Sequence, residues 1–119
     1  MKQAFEPVTL GGIAFKNRIV RSATHEGLAD DRGFPLESLA KLYGRLAKGG
    51  IGAIITGYAV VQRDGKSPLH RMLMIDSDES IPAYRTLADA AHEHGVPILL
   101  QLAHCGRQTR SVKTGYPTV

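Results

Sequence analysis

The chain has 119 residues, 43% of them hydrophobic and 22% charged, with 15 basic against 11 acidic side chains and a formal net charge of +4. That balance excludes a disordered chain, and the single cysteine excludes a disulfide framework or a zinc site built from several thiolates. The positive charge is dispersed, apart from a thin cluster of Arg107, Arg110 and Lys113, and few aromatics accompany it, so no nucleic-acid partner is expected. Apolar stretches fall far short of the roughly 18 residues of a membrane helix. Residues 1–7 lack the apolar segment of a signal peptide, so no membrane partner and a cytoplasmic setting are expected.

In chain order, Val8-Thr9-Leu10 and Ile13-Ala14-Phe15 flank Gly11-Gly12, a pair suited to a two-residue hairpin turn. Residues 18–23 read as a short strand running into the polar Thr24-His25-Glu26-Gly27, and residues 30–33 mark a loop. Pro35 suits the opening turn of a helix whose face carries Leu36, Leu39, Leu42, Tyr43 and Leu46, and Gly49-Gly50 ends it. Residues 52–57 are apolar without alternation, the pattern of a strand buried on both faces of a parallel sheet. Residues 62–79 read as a long loop. Ser80 is the expected N-cap of a second helix, with Pro82 in its first turn, an inner stripe of Tyr84, Leu87, Ala88 and Ala91, and Gly95 at its close. Residues 97–102 form a third predicted buried strand, which delivers His104-Cys105-Gly106-Arg107 beyond its end.

Short helices between continuous apolar strands require right-handed crossovers and a parallel α/β sheet. Ligands of such sheets bind beyond the carboxyl ends of the strands. The three strands place Thr24-His25, Gly57-Tyr58 and His104 there.

Among these residues, Gln101 carries an amide inside an apolar strand, which demands a partner. That partner is either a ligand edge with alternating carbonyl and N–H groups, such as a flavin pyrimidine ring or a nucleobase, or a neighbouring backbone. Gly57 leaves room for a planar ligand or serves a turn. The backbone amides of Ala23 and Thr24 either bond a ligand edge or mark a plain strand-to-loop transition. His25 and His104 are candidate acids, bases or anion contacts, or solvated loop residues. His92 and His94 do not share a helix face, and Asp76, Asp78 and Glu79 suit a helix N-terminus, so no metal site is expected. Cys105 reads as a small packed residue or a reactive thiol. No phosphate-binding glycine loop, nucleophile elbow or zinc signature occurs.

Three segments in order carry a more specific signal: Lys16-Asn17-Arg18-Ile19-Val20-Arg21-Ser22-Ala23-Thr24, then Ala47-Lys48-Gly49-Gly50-Ile51-Gly52-Ala53-Ile54-Ile55-Thr56-Gly57, then Gln101-Leu102-Ala103-His104-Cys105-Gly106-Arg107. Together they resemble the start of the old yellow enzyme family of NAD(P)H:flavin oxidoreductases. His25-Glu26-Gly27-Leu28 is closer to its 2,4-dienoyl-CoA reductase branch. The resemblance implies the N-terminal portion of a TIM (β/α)8 barrel: a hairpin, the first three parallel strands and two helices, with residues 1–119 one incomplete part of an FMN-binding domain. It maps flavin contacts onto Ala23, Thr24 and His25 at the first strand end, Gly57 at the second and Gln101 on the third. Ala23 stands where many relatives have proline, and His25 where relatives carry a flavin-tuning Cys or Thr.

The implied reaction is ping-pong: NAD(P)H reduces FMN, and hydride then passes to the β-carbon of an electron-poor alkene. The family's proton donor, substrate-carbonyl donors and FMN phosphate site lie further along, so no catalytic residue and no metal ligand is assigned within this chain. A complete barrel takes about 250 residues. The chain alone is therefore expected to be inactive, and to homo-oligomerise or associate with the remaining barrel portion. The rival readings are a noncatalytic, truncated half-barrel that serves as an oligomerising or binding module, and a different TIM-barrel oxidoreductase with a similar start.

Overall fold

After a 3-10 turn at Lys2–Phe5, the chain folds back on itself in a hairpin of β1 (Val8–Leu10) and β2 (Ile13–Phe15), in a computed structural model that describes residues 2–117. The pair is antiparallel with Leu10 opposite Ile13, and Gly11 and Gly12 turn it at φ of +56° and +81°, as the sequence predicts. Then come β3 (Val20–Arg21), α1 (Glu37–Lys48), β4 (Ala53–Ile55), β5 (Ala59–Val60) and β6 (Leu73–Met74). The chain continues through α2 (Ile81–His92), β7 (Ile98–Leu99), β8 (Leu102–Ala103) and the single turn α3 (Ser111–Thr114).

All pairings between these strands after the hairpin are parallel, and an isolated antiparallel bridge joins Ala29 to Pro35. One sheet has the order β3-β4-β7 and the next β6-β5-β8, so the second and third barrel strands each run in two segments. Helices α1 and α2 cover one face. Leu39, Tyr43 and Ala47 of α1 and Leu87 and Ala91 of α2 meet Ile54, Ala59 and Val96 in a single core. Fully burying each large member of this set is worth about 1.5–3 kcal/mol, which holds the helices to the sheet. A second, smaller cluster of Val60, Met72 and Met74 anchors β6.

Four expectations are corrected here. The segment 62–79 is not only loop: it holds β6 and two 3-10 turns, Arg63–Gly65 and Asp78–Ser80. A two-residue strand is too short to register as a period, and its burial comes from Met72 and Met74 meeting Val60. Ser80 does not cap α2 with its side chain; it is buried in the preceding turn, where its hydroxyl donates to the Ser77 carbonyl at 2.8 Å. The first strand pairs only over Val20–Arg21 rather than over residues 18–23. The third strand is not buried on both faces: Leu99, Leu100 and Leu102 are 37%, 37% and 60% exposed, because β7 and β8 lie at sheet edges among the described residues.

Among the described residues the sheet is an open arc and no barrel closes. The radius of gyration, 15.6 Å, exceeds the about 13.5 Å of a compact domain of this length. Among the described residues, no helix is long and apolar enough to cross a membrane.

Candidate functional site

The strand ends meet at a break in the second strand. There the N–H groups of Ile54, Thr56, Ala59 and Val61 donate to the carbonyls of Pro97, Leu99, Gln101 and Ala103 at 3.0, 2.9, 2.7 and 3.1 Å. The acceptors advance by two residues at every step, but the donors skip one extra residue between Thr56 and Ala59. This is a one-residue β-bulge, a feature that re-aims side chains at barrel rims. It also re-phases the strand: Ile54 and Ala59, an odd number of residues apart, both join the helix-side core.

Gly57 lies inside the bulge and is buried. A Cβ there would overlap the Thr24 carbonyl and come within 2.9 Å of Glu26 Oε2. The expectation that Gly57 leaves room for a planar ligand is thereby corrected in its reason, since that space is filled by the end of the first strand. Its N–H is also occupied, donating to the Tyr43 hydroxyl at 3.3 Å. That hydroxyl in turn donates to Glu26 Oε1 at 3.3 Å, and Arg21 Nη2 lies 3.4 Å from the same oxygen. Burial, reinforced by the Glu26 charge, pushes the Tyr43 phenol up to about 12, so it remains a donor at ordinary pH. Glu26 and Tyr43 thus tie the first strand end to the second. Neither was singled out from the sequence as part of a site. The available signal was a tyrosine in a buried helical stripe, whose hydroxyl needs a partner.

Gln101 is exposed rather than buried, contrary to expectation, and among the described residues its carboxamide has no hydrogen-bond partner. The strand alternation explains this. Ile98 and Leu100 line a cleft of about 170 Å³ with Thr56, Tyr84, Leu87 and Ala88, leaving Leu99 and Gln101 on the opposite, uncovered face. Its backbone is nonetheless held, with N–H donating to Thr56 Oγ1 at 3.2 Å. At the first strand end, Ala23 is half-buried, and Thr24 and His25 are exposed. Neither the Ala23 nor the Thr24 N–H donates to a backbone carbonyl among the described residues. The structure therefore gathers Thr24 with Gly57 and, through Thr56, Gly57 with Gln101.

His104 stands apart from this group. Its Nδ1 accepts the Gly106 N–H at 3.1 Å, and its Nε2 lies 3.5 Å from Asp64 Oδ1. The ring covers Gly65 so closely that a Cβ there would overlap it, and the Cys105 N–H donates to the Gly65 carbonyl at 2.9 Å. His104 and Cys105 latch the 63–65 turn to the segment after the third strand. Two other clefts, of about 150 and 250 Å³, share Asp31 and Lys66 and contain none of the five candidate residues.

Residues 3–115 match the family described as NADH:flavin oxidoreductase / NADH oxidase. The chain is 36% identical over 116 residues to an N,N-dimethylglycine/sarcosine dehydrogenase of Chromohalobacter salexigens, a match covering 97% of this chain and 17% of that protein. Its fold is similar to the old yellow enzyme homologue from Zymomonas mobilis, with a TM-score of 0.89 and 28% identity over 98% of this chain and 32% of that one. It is similar also to the old yellow enzyme from Trypanosoma cruzi, with a TM-score of 0.87 and 31% identity over 98% of this chain and 31% of that one. The chain thus spans about a third or less of each of these proteins, and its open arc corresponds to part of a TIM barrel.

Proposed function

The chain belongs to the NADH:flavin oxidoreductase / NADH oxidase family, and on that premise we propose that Ala23, Thr24, His25, Gly57 and Gln101 form one side of an FMN site. The observation that carries this reading is the carboxamide of Gln101, without a hydrogen-bond partner among the described residues, on the same rim as the N–H groups of Ala23 and Thr24, which donate to no carbonyl among those residues. Donors and an acceptor spread over one rim suit a planar ring edge that alternates carbonyl and N–H groups. In this arrangement Gln101 bonds the ring edge, the amides of Ala23 and Thr24 hold the opposite part of the ring system, and His25 stands beside them. Gly57 acts indirectly, letting the first strand end lie against the second.

The chemistry that FMN supplies when bound is hydride relay from a reduced nicotinamide to the β-carbon of an electron-poor alkene, with a proton completing the product at the α-carbon. The five residues bind and orient; none is assigned the proton. Residues 1–119 then form one part of an FMN-binding TIM-barrel domain, acting in the cytoplasm on a small-molecule alkene, within a homo-oligomer or joined to further barrel strands. Titration with FMN tests the reading. A yellow complex whose flavin fluorescence is quenched, and which weakens in Gln101→Ala, is the expected result; no uptake of flavin overturns it.

The exposure of Leu99, Leu100 and Leu102 along the open edge favours one second reading, a noncatalytic module that oligomerises through this edge. A colourless protein that takes up no FMN and elutes as a defined oligomer is its signature.

A further inference from the structure

We infer that Thr56 is a positioning residue for Gln101, its hydroxyl replacing the ladder acceptor that the bulge removes; the inference rests on Gln101 being a flavin contact. An inserted residue leaves one strand group facing a gap in the ladder. Here the Gln101 N–H faces that gap, and Thr56 Oγ1 fills it at 3.2 Å. On the other side of the same bulge, Ala59 donates to the Gln101 carbonyl at 2.7 Å. The backbone of Gln101 is thus pinned from both ends of the insertion, by the residue before it and a residue after it.

Thr56 is suited to this task in two ways. It is 2% exposed, so no solvent molecule substitutes freely for its hydroxyl. As a β-branched residue it has restricted χ1, and it sits in the apolar cleft formed with Tyr84, Leu87, Ala88, Ile98 and Leu100. Packing therefore decides where the oxygen points, and the oxygen decides where the Gln101 backbone lies. The carboxamide, which has no protein partner among the described residues, takes its position from that backbone. Valine in place of Thr56 would keep the shape and lose the acceptor, whereas serine would keep the acceptor.

A double-mutant cycle on the flavin-loaded protein tests this. FMN affinity is read from fluorescence quenching, the environment of the bound ring from its visible spectrum, and backbone protection from amide exchange at residue 101. Thr56→Val is expected to weaken FMN binding roughly three- to tenfold, the effect of one neutral hydrogen bond, and to shift the spectrum. Thr56→Ser should restore most of both. In a Gln101→Ala background, Thr56→Val should cost nothing further, because Thr56 acts through Gln101.

Equal losses in the two backgrounds overturn the inference, since they mean a general structural role. So does unchanged affinity in Thr56→Val when Gln101→Ala binds more weakly. Unchanged affinity in Gln101→Ala is a different failure: it removes the cofactor assignment itself, and the inference with it. If Thr56→Val does not fold, Thr56→Ala carries the same cycle to the same outcomes.

Discussion

The two faces of the same short strands have opposite fates. On the helix side, Ile54 and Ala59 disappear beneath α1 and α2 with Leu39, Tyr43, Leu87 and Val96, all nearly or fully inaccessible. On the other side, Val20 is 42% exposed, Leu99 is 37% exposed, and Gln101 presents a carboxamide with no partner among the described residues. Strand alternation makes this division possible, and the bulge at 56–58 maintains it where the two faces would otherwise drift out of phase. One face carries the larger core, and the other is covered at the Val60–Met72–Met74 cluster but open at Val20, Leu99 and Gln101. The Glu26–Tyr43–Gly57 linkage crosses between them, because it reaches from inside the helix layer to the strand ends.

Substitutions graded from the first face to the second test how sharp this division is. Leu87→Ala, deep in the helix-side core, should destabilise by about 3 kcal/mol in urea unfolding. Loss of less than about 1 kcal/mol would mean that the core is loosely packed. Gly57→Ala forces a Cβ onto the Thr24 carbonyl; because backbone cannot swing aside as a side chain does, a cost of about 2 kcal/mol is expected, read as a lowered midpoint. Tyr43→Phe keeps the ring but leaves the Gly57 N–H without its acceptor, and should cost about 1 kcal/mol. Retained stability in that variant would separate the strand ends from the core. His25→Ala, on the open face, should leave stability within about 0.5 kcal/mol and instead change the reduction potential of bound FMN. A potential equal to that of the parent removes His25 from the site.

The same linkage has a pH signature. Tyr43 is raised from an ordinary value of 10.0 to about 12 in the folded chain. The folded state therefore holds this proton more tightly than the unfolded state. Its contribution is complete below pH ~10, and is lost as pH rises through ~12. Ultraviolet titration should show two tyrosines ionising late, Tyr43 and the likewise buried Tyr84, and Tyr43→Phe should remove one of those late steps while flattening the alkaline loss of stability.

Much of the fold was legible in the sequence because it rests on local rules. The hairpin follows from Gly11-Gly12 between two short apolar runs, and both helices follow from stripes that end at glycines. The candidate site residues were named from their strand positions, and what surrounds them was not legible. Gly57 was expected to leave room for a planar ligand or to serve a turn, whereas the atom that requires its small size belongs to Thr24, far off in sequence. Gln101 was expected to be buried and to demand a partner, whereas it is exposed and its carboxamide has no hydrogen-bond partner among the described residues. The strand β6 was missed because two residues carry no period, and its partner Val60 is reached only by folding.

By itself, then, the sequence determined the hairpin, the alternation of the main strands with α1 and α2, the three strand ends where polar and small residues collect, and the family those segments resemble. Periodicity, capping and motif spacing are written within a few residues, so they survive reading in one dimension. Tertiary structure alone decided the register slip between the second and third strands, the filling of the Gly57 space by Thr24, and the bond from Gln101 to the Thr56 hydroxyl. Each of these depends on which residues come opposite one another after the crossovers close, and no local pattern encodes a one-residue offset between strands more than 40 residues apart.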